Sequence, residues 1–397
     1  MKKVEQKKKT HSENKRLKVL FLPSWYPSER NPVAGVFIRE HAKAVALYNE
    51  VIVIYNEGKY DKIKGGFSEI SDEIEEDIRT IRIKHKKLFI PKISFLIISF
   101  LINLFVMITI LNKLVKEGWK PDVIHAHVFG AGVVAAILGK IYDIPVVITE
   151  HWSGFSCRTL KKIDIVKARF AMNNARIILP VSKDLERAIK SYGIKNNFQI
   201  IPNVVNTAFF YPSKHRIRHN KKRILLAAIL SPPKGIPYLL KALSKLQETR
   251  TDFILDIVGD GPNRKEYESL TKKLGIQKFV QFRGFKTKEE LASLMKQSDF
   301  MVQPSLYETF GVVYIEAMAC GKPIVATQLP VLREKITKER GFLVPTKDIN
   351  ALAKAIDYML DHYQDYDAEK ISKYVKSNFS YEVIGKKLDN IYKRLIK

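Results

Sequence analysis

Two glutamates separated by seven residues, Glu308 and Glu316, stand in the stretch S-L-Y-E-T-F-G-V-V-Y-I-E-A-M-A-C-G (residues 305–321), a setting that ordinary packing does not explain. The preceding D-F-M-V-Q-P has the composition of a short buried strand, and Thr309 or Glu308 is placed to cap a helix that runs to a stop at Gly321. The unpaired amides at Phe310, Gly311 and Val312 would then face outward from a helix N-terminus, with no side chain at Gly311 to block an anion. A phosphate is the natural guest. Glu308 lies at the lip of that nest. Glu316 lies inside the helix on the face of Val312 and Val313, with Ala319 and Cys320 beyond it and no cation at three or four positions. Burying an unpaired carboxylate costs several kcal/mol. Two readings follow: a distant salt bridge, or a ligand such as a sugar offering two neighbouring hydroxyls. Ribose beside a diphosphate satisfies the second.

Other groups are placed for related chemistry. Lys234, in S-P-P-K-G after an apolar run at 224–229, is positioned to offset charge on a diphosphate leaving group. His127 and the pair Glu150–His151 follow apolar runs at 122–126 and 145–149, which read as parallel strands joined by a helix at 130–142. Such positions form the rim where open α/β sheets bind ligands. His125 lies one strand step deeper and reads as core. Trp152 and Phe155 could offer a flat face to a sugar or simply pack. No G-x-G-x-x-G follows the first apolar run at 17–22, which removes the best support for a dehydrogenase. The pair Asp365 and Asp367 falls in a polar connection between helical patterns and is rejected as a metal site, so no metal ligands are assigned.

The segment E-T-F-G-V-V-Y-I-E-A-M-A-C-G-K-P-I-V-A resembles the donor-site signature of retaining, metal-independent glycosyltransferases of the family four type, glycosyltransferase group 1. The resemblance implies the GT-B fold, two doubly wound parallel-sheet domains facing across a cleft. It implies that Glu316 holds the ribose of a nucleotide, that Glu308 reaches the donor sugar, and that Phe310, Gly311, Val312 and Val313 face phosphates and sugar. N-P-V-A-G-V-F-I-R-E-H resembles the family's first loop and gives Gly35 a place beside the donor phosphates; a helix-start glycine is the other reading. P-D-V-I-H-A-H places His127 at the donor–acceptor junction, and T-E-H-W-S-G-F resembles members acting on bacterial surface polysaccharides, with Glu150, His151 and Trp152 on the acceptor side. R-G-F puts Arg283 and Gly284 near the base. The family commonly has an arginine where this chain has Ile229, so Lys234 carries more of the charge, helped by Arg264 or Arg333. Val204 and Asn206 also depart from the family's I-P-N-G-V-D.

At 397 residues the chain exceeds one typical core, and a basic, proline-containing linker at 211–223 separates two α/β series. The expected division is a disordered basic tail at 1–16, an acceptor-side domain at 17–208, a nucleotide-sugar domain at 209–378, and a helix at 379–397 crossing back. In the first domain the segments 177–181 and 199–202 close the series, and a polar loop or hairpin follows a strand at 51–55. In the second, strands are expected at 224–229, 253–258, 278–282, 300–303 and 323–326. Lys+Arg 68 against Asp+Glu 41 gives +27, which implies an anionic partner. Two unrelated cysteines fit a reducing compartment, and the charged N-terminus lacks a signal-peptide core, so the expected location is the cytoplasm, at the inner face of its membrane.

The most apolar stretch, 88–115, has a core at 95–111 that is free of charge, with Asn103 in its middle, at the lower edge of spanning length. It reads either as a buried helix or as one lying on an anionic membrane. The expected activity is transfer of a sugar from a nucleotide-diphosphate donor to a saccharide acceptor, lipid-linked by preference, with no cofactor and no nucleic-acid partner. The rivals are a nucleotide-sugar epimerase or hydrolase of the same fold and a basic nucleic-acid-binding protein; dispersed basic residues without a stacking motif argue against the last.

Overall fold

The computed structural model describes residues 16–60, 63, 66–86, 92–213 and 220–396. The expected basic tail, apart from Arg16, and the middle of the expected linker lie outside the described residues.

Runs of Val, Ile, Leu and Phe bounded by turns form two sheets. The first contains β1 (Lys18–Pro23), β2 (Glu50–Tyr60), β3 (Ser68–Glu75), β4 (Ile78–Lys86), β5 (Val123–His127), β6 (Val146–Glu150) and β7 (Ile177–Pro180), in the order β3-β4-β2-β1-β5-β6-β7. All its pairs are parallel except β3 with β4, a hairpin that carries the acidic residues Asp72, Glu73, Glu75, Glu76 and Asp77. The second contains β8 (Lys222–Ala227), β9 (Phe253–Val258), β10 (Val280–Gly284), β11 (Phe300–Gln303), β12 (Ile324–Thr327) and β13 (Gly341–Val344), in the order β10-β9-β8-β11-β12-β13, parallel throughout. Strands β5, β6, β11 and β12 are buried at every residue, as strands covered by helices on both faces must be. This is the GT-B architecture of two α/β domains.

The order reverses between β1 and β5 in one sheet and between β8 and β11 in the other, and ligands of such sheets sit at that reversal, beyond the carboxyl ends of the strands. His127 ends β5, and the residues following the other three strands include Ser24, Lys234 and Glu308. Segment 199–202 bonds alongside β7 but forms no strand of its own. Strand β13, only G-F-L-V, was too short for the sequence to reveal.

The helix Tyr381–Leu395 packs on the helix Val36–Ala46 of the first domain. Gly385 permits the contact, since a Cβ there would lie 2.1 Å from the Ala44 carbonyl oxygen. Tyr392 Oη meets His125 Nδ1 at 2.6 Å in the same interface, which accounts for His125 as a core residue.

The apolar stretch is the helix Lys92–Lys116. Met107, Ile110, Leu111 and Leu114 are buried in the first domain, whereas Ile98, Leu101 and Phe105 are 37%, 55% and 70% exposed. Only 28% of the window Ile98–Lys116 is buried, so the simple buried-helix reading fails for its outer face. Asn103 turns inward and accepts a bond of 2.7 Å from Asn56 Nδ2, which explains an amide within an apolar helix.

Candidate active site

The loop after β11 leads to the helix Val312–Ala319, and the cap differs from expectation. Neither Thr309 nor Glu308 caps it; Gly311 does, in the left-handed region at φ 77° with no side-chain bond. A Cβ there would lie 2.4 Å from Tyr314 Cδ2. Glycine is therefore required twice, by backbone conformation and by space. Among the described residues no hydrogen bond is made by the amides of Phe310, Gly311, Val312 or Val313, which leaves four consecutive donors at a helix N-terminus. Below them Lys335, 6% exposed, donates to the carbonyls of Phe310 at 3.1 Å and Val331 at 2.7 Å, with its ammonium 4.0 Å from the Phe310 ring centre. Burial pulls the pKa of Lys335 down to about 8, against the attraction of Glu308 and Glu334.

Lys234 ends the turn Pro232–Lys234 that follows β8, and Gly235 at φ 66° lets that turn press against the neighbouring loop. A Cβ on Gly235 would lie 2.0 Å from the Pro304 carbonyl oxygen, and the Leu306 amide donates to Pro233 O at 2.7 Å. The two loops are thus clamped, and the clamp brings Lys234 Nζ within 2.8 Å of Glu308 Oε1. Ser305 Oγ donates to the same oxygen at 2.9 Å. Glu308 and Lys234, far apart in sequence, form one ion pair at the lip of the amide nest.

No hydrogen bond or ion pair reaches the Glu316 carboxylate among the described residues. Its side chain keeps an opening to the cleft, yet the surrounding protein deprives it of water and pushes its pKa up to about 7; Lys288 opposes this and Glu40 adds to it. Lys288, the first residue of the helix Lys288–Gln297, pairs with Glu40 of the first domain, and Tyr381 Oη donates to the other Glu40 oxygen. The nearest cation is therefore committed to another carboxylate, and the distant salt bridge that would have explained Glu316 is not made.

On the opposite rim, His127 ends β5 fully buried, with its Nδ1 3.0 Å from His151 Nε2 and its ring stacked on Phe21. His41, from the helix Val36–Ala46, completes a buried group, its Nε2 donating to Pro202 O at 3.2 Å. Burial holds the pKa of His41 down to about 4 and those of His127 and His151 well below the usual imidazole value, so all three are neutral at pH 7. Glu150 does not face an acceptor. It is wholly buried, its Oε1 accepting from the His151 and Trp152 amides at 2.9 and 2.8 Å and its Oε2 from Phe129 N at 3.0 Å. It shapes the loop that presents Trp152, which remains partly exposed beside Phe129. Gly35 opens the helix Val36–Ala46 at φ 64°, where a Cβ would lie 2.2 Å from the Trp25 carbonyl oxygen; this close approach explains the glycine without a ligand.

Arg283 is paired with Asp256 at 2.6 Å, and Asp256 also holds Arg223, so the guanidinium is already committed beside Gly284 at the end of β10. Ile229 is 53% exposed at the cleft. Arg264 cannot replace the arginine expected there, because it bonds Asp260 and Glu268. Arg333 is exposed, while Lys335, which sequence reasoning passed over, sits beneath the nest. Asp367 caps the helix Ala368–Phe379 through the Lys370 amide, and Asp365 meets His362, which agrees with rejecting the pair as a metal site. Glu40, His41 and Lys288 were also missed. R-E-H after Gly35 offered a signal in its side-chain types, but no local spacing tied it to His127 or Lys288.

The pattern of Glycosyl transferases group 1 matches residues 207–378, and that of Glycosyltransferase Family 4 matches residues 45–209. An uncharacterised glycosyltransferase of Methanocaldococcus jannaschii is 31% identical over 296 residues, 69% of this chain and 75% of that protein. Sucrose-phosphate synthase from Thermosynechococcus elongatus superposes with TM-score 0.76 at 21% identity, over 96% of this chain and 99% of that one. HepE of Anabaena, solved with UDP and glucose, superposes with TM-score 0.73 at 20% identity, over 96% of this chain and 100% of that one.

Proposed function

Because the chain belongs to the family four, group 1 glycosyltransferases of GT-B fold, we propose that it moves a sugar from a nucleotide-diphosphate donor to a saccharide hydroxyl with retention at the anomeric carbon. The observation that carries this reading is the unpartnered Glu316 carboxylate beside four free amides and the Lys234–Glu308 pair. Ribose hydroxyls would supply the donors that Glu316 lacks. The diphosphate would take the amides and draw Lys234 toward it, releasing Glu308 to bind the donor sugar. Lys335 would stiffen the nest by its two carbonyl bonds and add the positive charge that Ile229 cannot give. A donor carrying UDP is favoured by the likeness to HepE. No cofactor is needed in this scheme, since the nucleotide sugar is a substrate.

Trp152 would line the junction with the acceptor and give a sugar ring an apolar face, whereas His127, expected there from the sequence, is fully buried. A lipid-linked acceptor of bacterial surface polysaccharide, met at the cytoplasmic face of the membrane, is supported by the exposed side chains of Ile98, Leu101 and Phe105 and by the charge of +27. The test is turnover of a UDP-sugar panel with and without a lipid-linked saccharide, followed by NMR of the product's anomeric configuration. Acceptor-dependent transfer with retention is expected. Donor consumption that ignores the acceptor would instead identify an epimerase or hydrolase, and inversion would overturn the mechanism.

A further inference from the structure

Three histidines from three separate elements converge in the interior of the first domain: His41 on the helix Val36–Ala46, His127 at the end of β5, and His151 just beyond β6. They are 0%, 0% and 5% exposed, and each offers a ring nitrogen such that all three lie within 4.8 Å of one another. Their polar contacts leave lone pairs over. His41 Nε2 must donate to the Pro202 carbonyl, so its Nδ1 is the basic nitrogen, and that atom is buried with no partner. His127 Nδ1 and His151 Nε2 face each other at 3.0 Å, one as donor and one as acceptor, while their outer nitrogens are buried and unpartnered. Three imidazoles packed together thus share one proton between two of them and leave the His41 Nδ1 lone pair without a donor, which a packed core seldom does.

We propose that His41, His127 and His151 form a binding site for a divalent cation of the zinc class, with His41 Nδ1, His127 Nδ1 and His151 Nε2 as ligands. Zinc–imidazole bonds of about 2.0–2.1 Å place neighbouring nitrogens of a tetrahedral site roughly 3.3 Å apart. The His127–His151 pair already stands near that separation, and His41 has to close by up to about 1.5 Å. Binding needs no net loss of a proton: the one between His127 and His151 moves to an outer nitrogen, Nε2 of His127 or Nδ1 of His151. The His41–Pro202 bond is the outer support that metal-bound histidines usually have, fixing the tautomer and aiming the ring. Asn203, whose buried Oδ1 lacks a partner, stands beside His151 to receive its N–H in the same way. Imidazole donors without a carboxylate select zinc, cobalt or nickel over magnesium or calcium. The ion would link three side chains of which only His127 and His151 otherwise share a hydrogen bond. The site does not depend on the donor-site reading.

The experiment is titration of the chelator-stripped full chain with zinc by calorimetry, with cobalt as a visible-absorption probe, repeated for His41→Gln. Glutamine can still donate to the Pro202 carbonyl but has nothing at the position of Nδ1, so the variant keeps the structural bond and loses the ligand. One zinc per chain, a rise in melting temperature on binding, the visible band of four- or five-coordinate cobalt, and at least about a 100-fold loss of affinity in His41→Gln are expected. Zinc binding of equal strength in wild type and His41→Gln would overturn the proposal, as would the absence of stoichiometric zinc. Metal-free melting of both proteins checks that the comparison is between folded chains.

Discussion

Replacing Glu316 by glutamine removes a carboxylate that the ligand-free protein cannot satisfy, and the consequence for stability follows from its proton. The native carboxyl holds its proton up to about pH 7, whereas the unfolded one releases it near 4.5. Between those values the native state binds more protons than the unfolded state, so this group's contribution to stability falls as pH rises and stays low above 7. A displacement of that size corresponds to about 3 kcal/mol, reduced to roughly 2 kcal/mol because the side chain keeps part of its surface in water. Glutamine has no such dependence. The assay is urea and thermal unfolding of wild type and Glu316→Gln without nucleotide from pH 5 to 8.5. The difference, in which all other titrations cancel, should be near zero at pH 5 and favour Glu316→Gln by about 2 kcal/mol at pH 8. A difference that does not change with pH, or a wild type that is the more stable at pH 8, would refute the reasoning, because it would mean that Lys288 leaves Glu40 to pair with Glu316.

Lys234→Ala should lower kcat by roughly 100-fold or more, as loss of a preorganised cation at a leaving group does, with a smaller change in KM; steady-state kinetics at saturating donor checks it. Gly311→Ala strains a residue at φ 77° and drives a methyl group into the Tyr314 ring, so nucleotide binding should be lost, with destabilisation of about 1–3 kcal/mol measurable by unfolding. For Lys335 the sign runs opposite to Glu316. The native amine loses its proton near pH 8 and the unfolded one near 10.5, so wild type should gain stability relative to Lys335→Met as pH rises from 8 to 10, and a constant difference would remove the buried charge from the account. Leu101→Glu with Phe105→Glu changes exposed side chains only; folding should persist while sedimentation with anionic vesicles is lost, and unaltered sedimentation would separate the helix from any membrane role.

Local patterns carried much of this structure. The run of buried Val, Ile and Leu before each glycine-containing turn marked the parallel strands, and Gly311 within E-T-F-G marked a helix start because an anion nest needs a bare backbone. The cap was misplaced by two or three residues since Thr309 has the better capping chemistry, and only the Tyr314 ring packed against Gly311 explains why the chain turns later. Long-range pairing was not legible. Glu308 meets Lys234 because Gly235 lets two loops touch, and Lys288 meets Glu40 because two domains close on each other; neither depends on spacing along the chain. Glu150 was misjudged for the same reason. A carboxylate at the end of a strand suits an acceptor site, and only the positions of three backbone amides show that its oxygens are already used.

The most direct test of the donor site is calorimetric titration of UDP-linked and GDP-linked sugars into wild type and Glu316→Gln without added metal. The account predicts micromolar binding of one donor by wild type, strengthening as pH rises through about 7 and Glu316 ionises, and a loss of about 10-fold or more in the folded variant. Equal affinity in the two proteins would contradict the assignment of Glu316 to the ribose, and failure of wild type to bind any donor would contradict the transferase site itself.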